Sequence, residues 1–274
     1  VAKDSKPKKK RYTRKNSDKH VLYQLSVQDP DFEVRFVSRT FKKIRNREAL
    51  SLREDFCGTA FFAGTWVKKN KARTALGIDI DQSVLDWGIE HNLAPIGEPG
   101  NRLELRCANV LDDVKQKFDI CCAFNFSYWC FEERGVMLDY FKKVRRSLVR
   151  DGLFFLDAYG GYESHQPDLE EPRKIDEGFT YVWHQDKVDP INNHIENHIH
   201  FHFKDGSRWR KAFSYSWRFW SLLEIRELLL EAGFQNTQVY WEDADEDGGS
   251  TCVYRPRKVV VNEASWVAYI VAEV

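Results

Sequence analysis

Three sets of side chains in this sequence have the types and spacing to do chemistry. The first is the run Leu52-Arg53-Glu54-Asp55-Phe56-Cys57-Gly58-Thr59-Ala60, where an apolar stretch meets a tight turn opening a helix. The carboxylate of Gly77-Ile78-Asp79 follows 21 residues after Gly58. A turn of this kind brings backbone N–H groups to a ligand, and a carboxylate at the next strand end sets an acceptor beside it. The G-x-G-x-x-G pattern that a pyrophosphate requires is absent, so no dinucleotide is expected here. The second set is His198, His200 and His202, at i, i+2 and i+4 on one face of a strand. Without a paired cysteine or a second histidine cluster at ligand spacing, we expect these imidazoles to line a polar cleft and bind no metal. His184, in the same region, is the candidate general base, since an imidazole titrates where that task requires. The third set, Asp243-Ala244-Asp245-Glu246-Asp247-Gly248, begins like a calcium loop, but its twelfth position is Tyr254 and not Glu. A solvated acidic loop is expected.

Short apolar runs alternating with amphipathic stretches must position these groups. Strands are predicted at 49–54, 74–79, 102–107, 118–124 and 152–158, with helices at 60–70, 82–92 and 132–149 between them. Asp29-Pro30 starts a lead-in helix carrying Phe32, Phe36, Val37, Phe41 and Ile44. Near the end, Ser221-Leu222-Leu223-Glu224 is a capping box opening a helix that stops at Gly233, with strands at 235–241 and 265–273 after it. Between 160 and 220 the pattern changes to period-two alternation, as in Ile199-His200-Phe201-His202-Phe203, with a hairpin turn at Asp205-Gly206. The expected fold is α/β: a seven-stranded, mostly parallel sheet with helices on both faces and an inserted antiparallel β cap. The domain reading is a basic disordered tail over 1–20, a core over 21–159 and 221–274, and the cap over 160–220.

Taken in order, the strand-end residues resemble those of class I S-adenosylmethionine-dependent methyltransferases, a Rossmann-like family. Residues 52–60 resemble its glycine-rich motif I, with Phe56 and Ala60 at two of the three glycine positions. Gly77-Ile78-Asp79 resembles its acidic second-strand end, and Ala108-Asn109-Val110 falls at its adenine-binding position. Asp151-Gly152-Leu153 resembles its turn into the fifth strand, and Glu231-Ala232-Gly233-Phe234 its entry to the sixth. The resemblance covers residues 45–160 and 221–274. It implies S-adenosylmethionine as cofactor, with Asp79 on the ribose hydroxyls, Ile80 on the adenine face, and Asn109 and Val110 at the adenine edge. Glu54, Phe56 and Gly58 would surround the methionine amino group, and Arg53 would either reach its carboxylate or serve as a structural ion-pair partner. Methyl transfer from a sulfonium is an in-line displacement, so positioning in a water-poor site supplies most of the rate. Asn125, Tyr128 and Trp129 after the fourth strand, and Tyr159 ending the fifth, are expected to face the methyl group and the acceptor, with His200 from the cap. Asn125-Phe126-Ser127-Tyr128 is similar to the Asn-Pro-Pro-Tyr motif of amino-group methyltransferases, without its prolines.

Composition narrows the class. With 42% hydrophobic and 31% charged residues and 42 charges of each sign, the chain reads as an ordinary globular protein and not a disordered or fibrous one. Its six cysteines form no C-x-x-C pair and are expected to be reduced. No apolar run reaches the ~20 residues of a membrane span, and no apolar stretch follows the basic start. We therefore expect no membrane partner and a cytoplasmic location. The run Pro7-Lys8-Lys9-Lys10-Arg11 matches a nuclear-import signal or a nucleic-acid arm. The size and aromaticity of the cap favour a small-molecule substrate. The alternatives are a nucleic-acid methyltransferase using the tail, whose binding would weaken steeply with salt, and a non-catalytic interaction module on the same fold.

Overall fold

The structure, a computed structural model, describes residues 11–245 and 249–274. Most of the basic run 7–11 and residues 246–248 of the acidic loop lie outside them. In chain order α1 (Lys19–Val27) and α2 (Pro30–Arg45) come first, then β1 (Ser51–Asp55), α3 (Phe61–Lys69), β2 (Thr74–Asp79), α4 (Gln82–Gly88), β3 (Leu103–Cys107), β4 (Phe118–Ala123), α5 (Arg134–Ser147) and β5 (Leu148–Gly160). Four strands follow, β6 (Leu169–Ile175), β7 (Phe179–Asp189), β8 (His194–Phe203) and β9 (Arg208–Arg218). The chain closes with α6 (Leu222–Glu231), β10 (Asn236–Ala244), β11 (Ser250–Arg257) and β12 (Trp266–Glu273). No helix among the described residues is long and apolar enough to cross a membrane.

These elements form two units. The larger, Pro30–His165 with Trp217–Val274, is built on a sheet of order β11-β10-β12-β5-β4-β1-β2-β3. Strands β3, β2, β1, β4 and β5 pair in parallel, and β12 runs antiparallel between β5 and β10. Strand order reverses between β1 and β4, and that switch point opens the sheet's carboxyl edge to a ligand. Both faces are covered. Consecutive side chains of a strand point to opposite sides: Phe155 meets Phe36 of α2, while Phe154 meets Tyr140 and Phe141 of α5. The seven expected strands are present, and β11 adds an eighth at the edge. It was illegible because Ser250–Arg257 is mostly exposed and has no apolar alternation. The helix predicted over 82–92 ends as an α-helix at Gly88 and continues as a π-helical turn over Ile89–Leu93.

The smaller unit contains Gln166–Ser216 and the residues up to Asp29. Its antiparallel sheet has the order β6-β7-β8-β9. The register sets Phe179 opposite Phe203 and Tyr181 opposite Phe201, so the aromatic residues share one face and His198, His200 and His202 the other. Tyr12 and Leu22 complete the aromatic core; Leu22 is fully buried, and the Tyr12 ring meets Phe179 edge-on. Asp18 caps α1 by accepting from the N–H groups of His20 and Val21. Both N-terminal boundaries of the sequence reading therefore move: residues 21–29 join this sheet and not the core, and ordered structure begins before residue 20. The hairpin turn at Asp205-Gly206 is present, with Gly206 at φ 85°.

Candidate active site

The site's frame is the loop after β1. Cys57 N–H donates to Ile78 O at 3.0 Å and Ala60 N–H to Cys57 O at 2.8 Å, which folds the loop over the end of β2. Phe56, Gly58 and Ala60, at the three glycine positions of motif I, have φ of 56°, 52° and 55°. The left-handed backbone is thus adopted by two residues other than glycine, at roughly 1–2 kcal/mol each. Packing holds it there: the Phe56 ring lies 5.8 Å from Phe131 and 5.9 Å from Tyr140, and Ala60 is fully buried. Helix α4 and the π-helical turn that follows it brace the far side, where Asn92 of the turn donates its amide to Thr59 O at 2.8 Å. A Cβ at Gly88 would lie 2.4 Å from that same carbonyl, so only glycine allows this approach.

Asp79 ends β2 beneath the loop. Its Oδ2 accepts Gly58 N–H at 2.8 Å and its Oδ1 accepts Asp81 N–H at 3.0 Å, leaving each oxygen a lone pair for a ligand hydroxyl. Asp81 caps α4 through Ser83 and Val84, freeing Asp79 from that task. Beside it Ile80 is 74% exposed, an apolar surface for a planar ring. A Cβ at Gly58 would find only Val84, at 4.0 Å, so the loop presents an open backbone surface. Glu54 accepts Ala63 N–H at 3.0 Å; burial, with Asp79 and Asp55 nearby, pushes its carboxyl up to about 8. Asn109 is exposed and its side chain accepts Leu111 N–H, a turn-forming bond, while Val110 is buried.

No protein-family model matches the sequence, and no curated protein matches it. Solved structures do. An S-adenosylmethionine-dependent methyltransferase from Clostridium acetobutylicum superposes with a TM-score of 0.68 at 17% identity, over 93% of this chain and 96% of its own. The amino pentose methyltransferase CalS10 of Micromonospora echinaspora gives 0.65 at 12% identity, over 93% and 95%. The sugar N-methyltransferase KedS8 of a Streptoalloteichus species gives 0.59 at 15%, over 98% of both chains. The fold is that of class I methyltransferases.

Within that fold several predicted residues take other places. Arg53 is fully buried: Nε donates to Asp55 Oδ1 at 2.7 Å and Nη2 to Val110 O at 3.2 Å, so its guanidinium braces the loop from below and does not reach outward. Tyr140 donates to the other oxygen of Asp55 at 2.9 Å. The network as a whole has no sequence signature, because Val110 and Tyr140 lie 57 and 85 residues from the side chains they meet. After β4, Asn125 and Phe126 are both left-handed, at φ 58° and 57°, and their N–H groups donate to the two oxygens of Asp157 at 2.7 and 2.9 Å. Burial pushes the Asp157 carboxyl up to about 7 against these bonds. Asp157 was missed because it reads as one polar residue inside an apolar strand.

The aromatic expectations require correction. Tyr128 is fully buried and donates to Asp157 O at 2.7 Å, and Trp129 is fully buried with its ring 4.9 Å from Tyr159. Tyr159 is 8% exposed against Phe126 and Phe219. These rings form the floor under the Asn125 loop and do not present open faces to an acceptor. A short segment of aromatic residues after a strand does not tell from sequence which side it packs on.

His184 and His200 meet within the smaller unit, Nδ1 to Nε2 at 3.2 Å. Lys211 N–H donates to His200 Nδ1 at 2.7 Å, so the proton of the neutral ring is on Nε2 and points at His184 Nδ1. His184 therefore keeps its own proton on Nε2, a donor there and not the base expected from sequence. Ligand atoms of Glu170, His184 and His200 lie within 4.8 Å of one another. Metal binding at His200 Nε2 would require an imidazolate while Nδ1 accepts from the backbone. His198 is likewise engaged, donating from Nε2 to Asp186 at 2.9 Å, with Ser214 Oγ 2.9 Å from Nδ1. Burial lowers the pKa of both His198 and His200.

Proposed function

We propose that this chain is an S-adenosylmethionine-dependent methyltransferase acting on a small molecule. One observation carries the reading: the left-handed loop Phe56–Ala60 delivers Gly58 N–H onto Asp79, at the carboxyl edge where strand order reverses. The residues fit the cofactor. The free lone pairs of Asp79 suit two ribose hydroxyls, Ile80 an adenine face, Glu54 an ammonium, and the open backbone at Gly58 a close-lying methionine chain. When bound, S-adenosylmethionine supplies an electrophilic methyl group on a cationic sulfur. The chain's part is to hold an acceptor in line with it. Asp157 fixes the backbone of Asn125 and Phe126, the segment after β4 that would face the acceptor, and the buried rings of Tyr128 and Trp129 keep water from beneath it. Two superposing structures, of an amino pentose methyltransferase and a sugar N-methyltransferase, support a small polar acceptor.

Calorimetric titration with S-adenosylmethionine and S-adenosylhomocysteine, with NADH as control, tests the reading. Saturable binding of the first two is expected. Asp79→Ala removes acceptors from both the ligand and Gly58 N–H and should weaken binding by roughly 100-fold or more. Failure of the wild type to bind either ligand would overturn the assignment. A panel of amino and hydroxyl sugars then separates nitrogen from oxygen acceptors.

A further inference from the structure

Helix α2 and the edge strand β11 wall a groove of about 720 Å³ in the larger unit. Its charge is one-sided. Arg35, Arg39 and Lys43 stand at i, i+4 and i+8 along α2, all exposed and without a salt bridge among the described residues. One helical turn, ~6 Å, separates each from the next. On the opposite wall Arg255 and Arg257 point the same way from β11 and share a single carboxylate, Asp243, at 3.2 and 2.7 Å. Between the two rows lies a floor of aromatic rings, with Phe32 against Tyr254 at 5.6 Å and Phe36 against Tyr240 at 5.5 Å.

We infer that this groove binds single-stranded nucleic acid through its phosphodiester backbone. The helical row alone runs over ~12 Å, too long for one phosphate group and suited to a repeating anion. Four of the five cations are arginine, whose planar fork matches phosphate oxygens bidentately, and the partly exposed rings of Phe32 and Tyr254 suit bases. Those two features favour a nucleic acid over an acidic peptide. The surface is separate from the methyl-transfer residues, so the inference stands whether or not the proposed activity does.

Fluorescence anisotropy of the whole chain with a labelled single strand of about 12 nucleotides tests it, between about 50 and 200 mM salt. Four or five phosphate contacts predict a slope of log affinity on log salt near −3. The double variant Arg39→Glu, Arg255→Glu, at exposed positions, should weaken binding at least about tenfold and flatten that slope by about 2. Cys252 lines the groove and is exposed, so the strand should also slow its alkylation while leaving exposed Cys107 unaffected. The inference is overturned by absence of binding at low salt, or by tighter binding of an oligoglutamate of equal charge. It is equally overturned if the double variant binds like the wild type, or if only reversal of Lys8, Lys9 and Lys10 abolishes binding.

Discussion

If S-adenosylmethionine binds as proposed, the net proton exchange on binding, with Glu54 releasing and the ligand amine taking up, changes sign with pH. Its carboxyl, pushed up to about 8 by burial, is roughly 90% protonated at pH 7 in the free protein. An ammonium placed against it favours the ionised form and lowers its pKa by about 2 units, to ~6, so binding at pH 7 expels ~0.8 proton from this residue. The ligand's α-amino group, of ordinary pKa ~7.8, takes up ~0.1 proton at that pH, leaving a net release of ~0.7. At pH 9 the free carboxyl is already ionised and the free amine mostly neutral, so binding takes up ~0.7 proton, and the exchange passes through zero near pH 8. Titration in buffers of different ionisation enthalpy reads this number directly. Glu54→Gln should abolish the release at pH 7 and, because the same ion pair holds the amine protonated, most of the uptake at pH 9 as well. Equal proton release by the wild type and Glu54→Gln at pH 7 would refute the placement of the ammonium on Glu54.

Two further outcomes concern the backbone. Ala60→Gly should leave stability within about 0.5 kcal/mol of the wild type, because relief of the left-handed strain offsets the lost methyl and the entropy of glycine. Ala63→Gly, equally buried but inside α3, should cost about 2 kcal/mol, and urea unfolding that gives the two variants equal losses would count against strain at Ala60. Asp157→Ala strands two partly buried N–H groups and should cost about 2–4 kcal/mol. The milder Asp157→Asn should cost less at pH 8 than at pH 5: a carboxyl held at about 7 in the fold, against an ordinary value of about 4, loses the wild type stability as pH rises between the two, whereas the amide does not titrate.

Strand and helix placement in the core was legible because each strand is a short apolar run punctuated by a polar residue, and those residues line the ligand edge. Asp79 and Asp81 were told apart by position alone, one ending a strand and the other capping a helix, and the structure keeps that division. What was illegible depends on contacts distant in sequence. Arg53 could reach a ligand or pair within the fold, and sequence does not choose until Asp55, Tyr140 and Val110 are seen around it. His184 reads as a base until Lys211, 27 residues away, fixes the proton of His200. Tyr12 and Leu22 belong to the antiparallel sheet, but their partners come more than 130 residues later, so nothing local reveals where they pack.

That last separation governs the order in which the chain is made. Helix α1 leaves the ribosome with the side chain of Leu22 unprovided for, and the strands of the sheet that buries it begin only at Leu169. At the ordinary pace of about 5–20 residues per second, synthesis spends roughly 7–30 s between them. The larger unit needs neither segment for its own interior, yet it too is interrupted, waiting for β10 and β12 to fill the sheet beyond β5. The nascent polypeptide therefore carries two unfinished interiors at once. They close in nested order: the small antiparallel sheet is complete when Arg218 emerges, and the mostly parallel one only with β12.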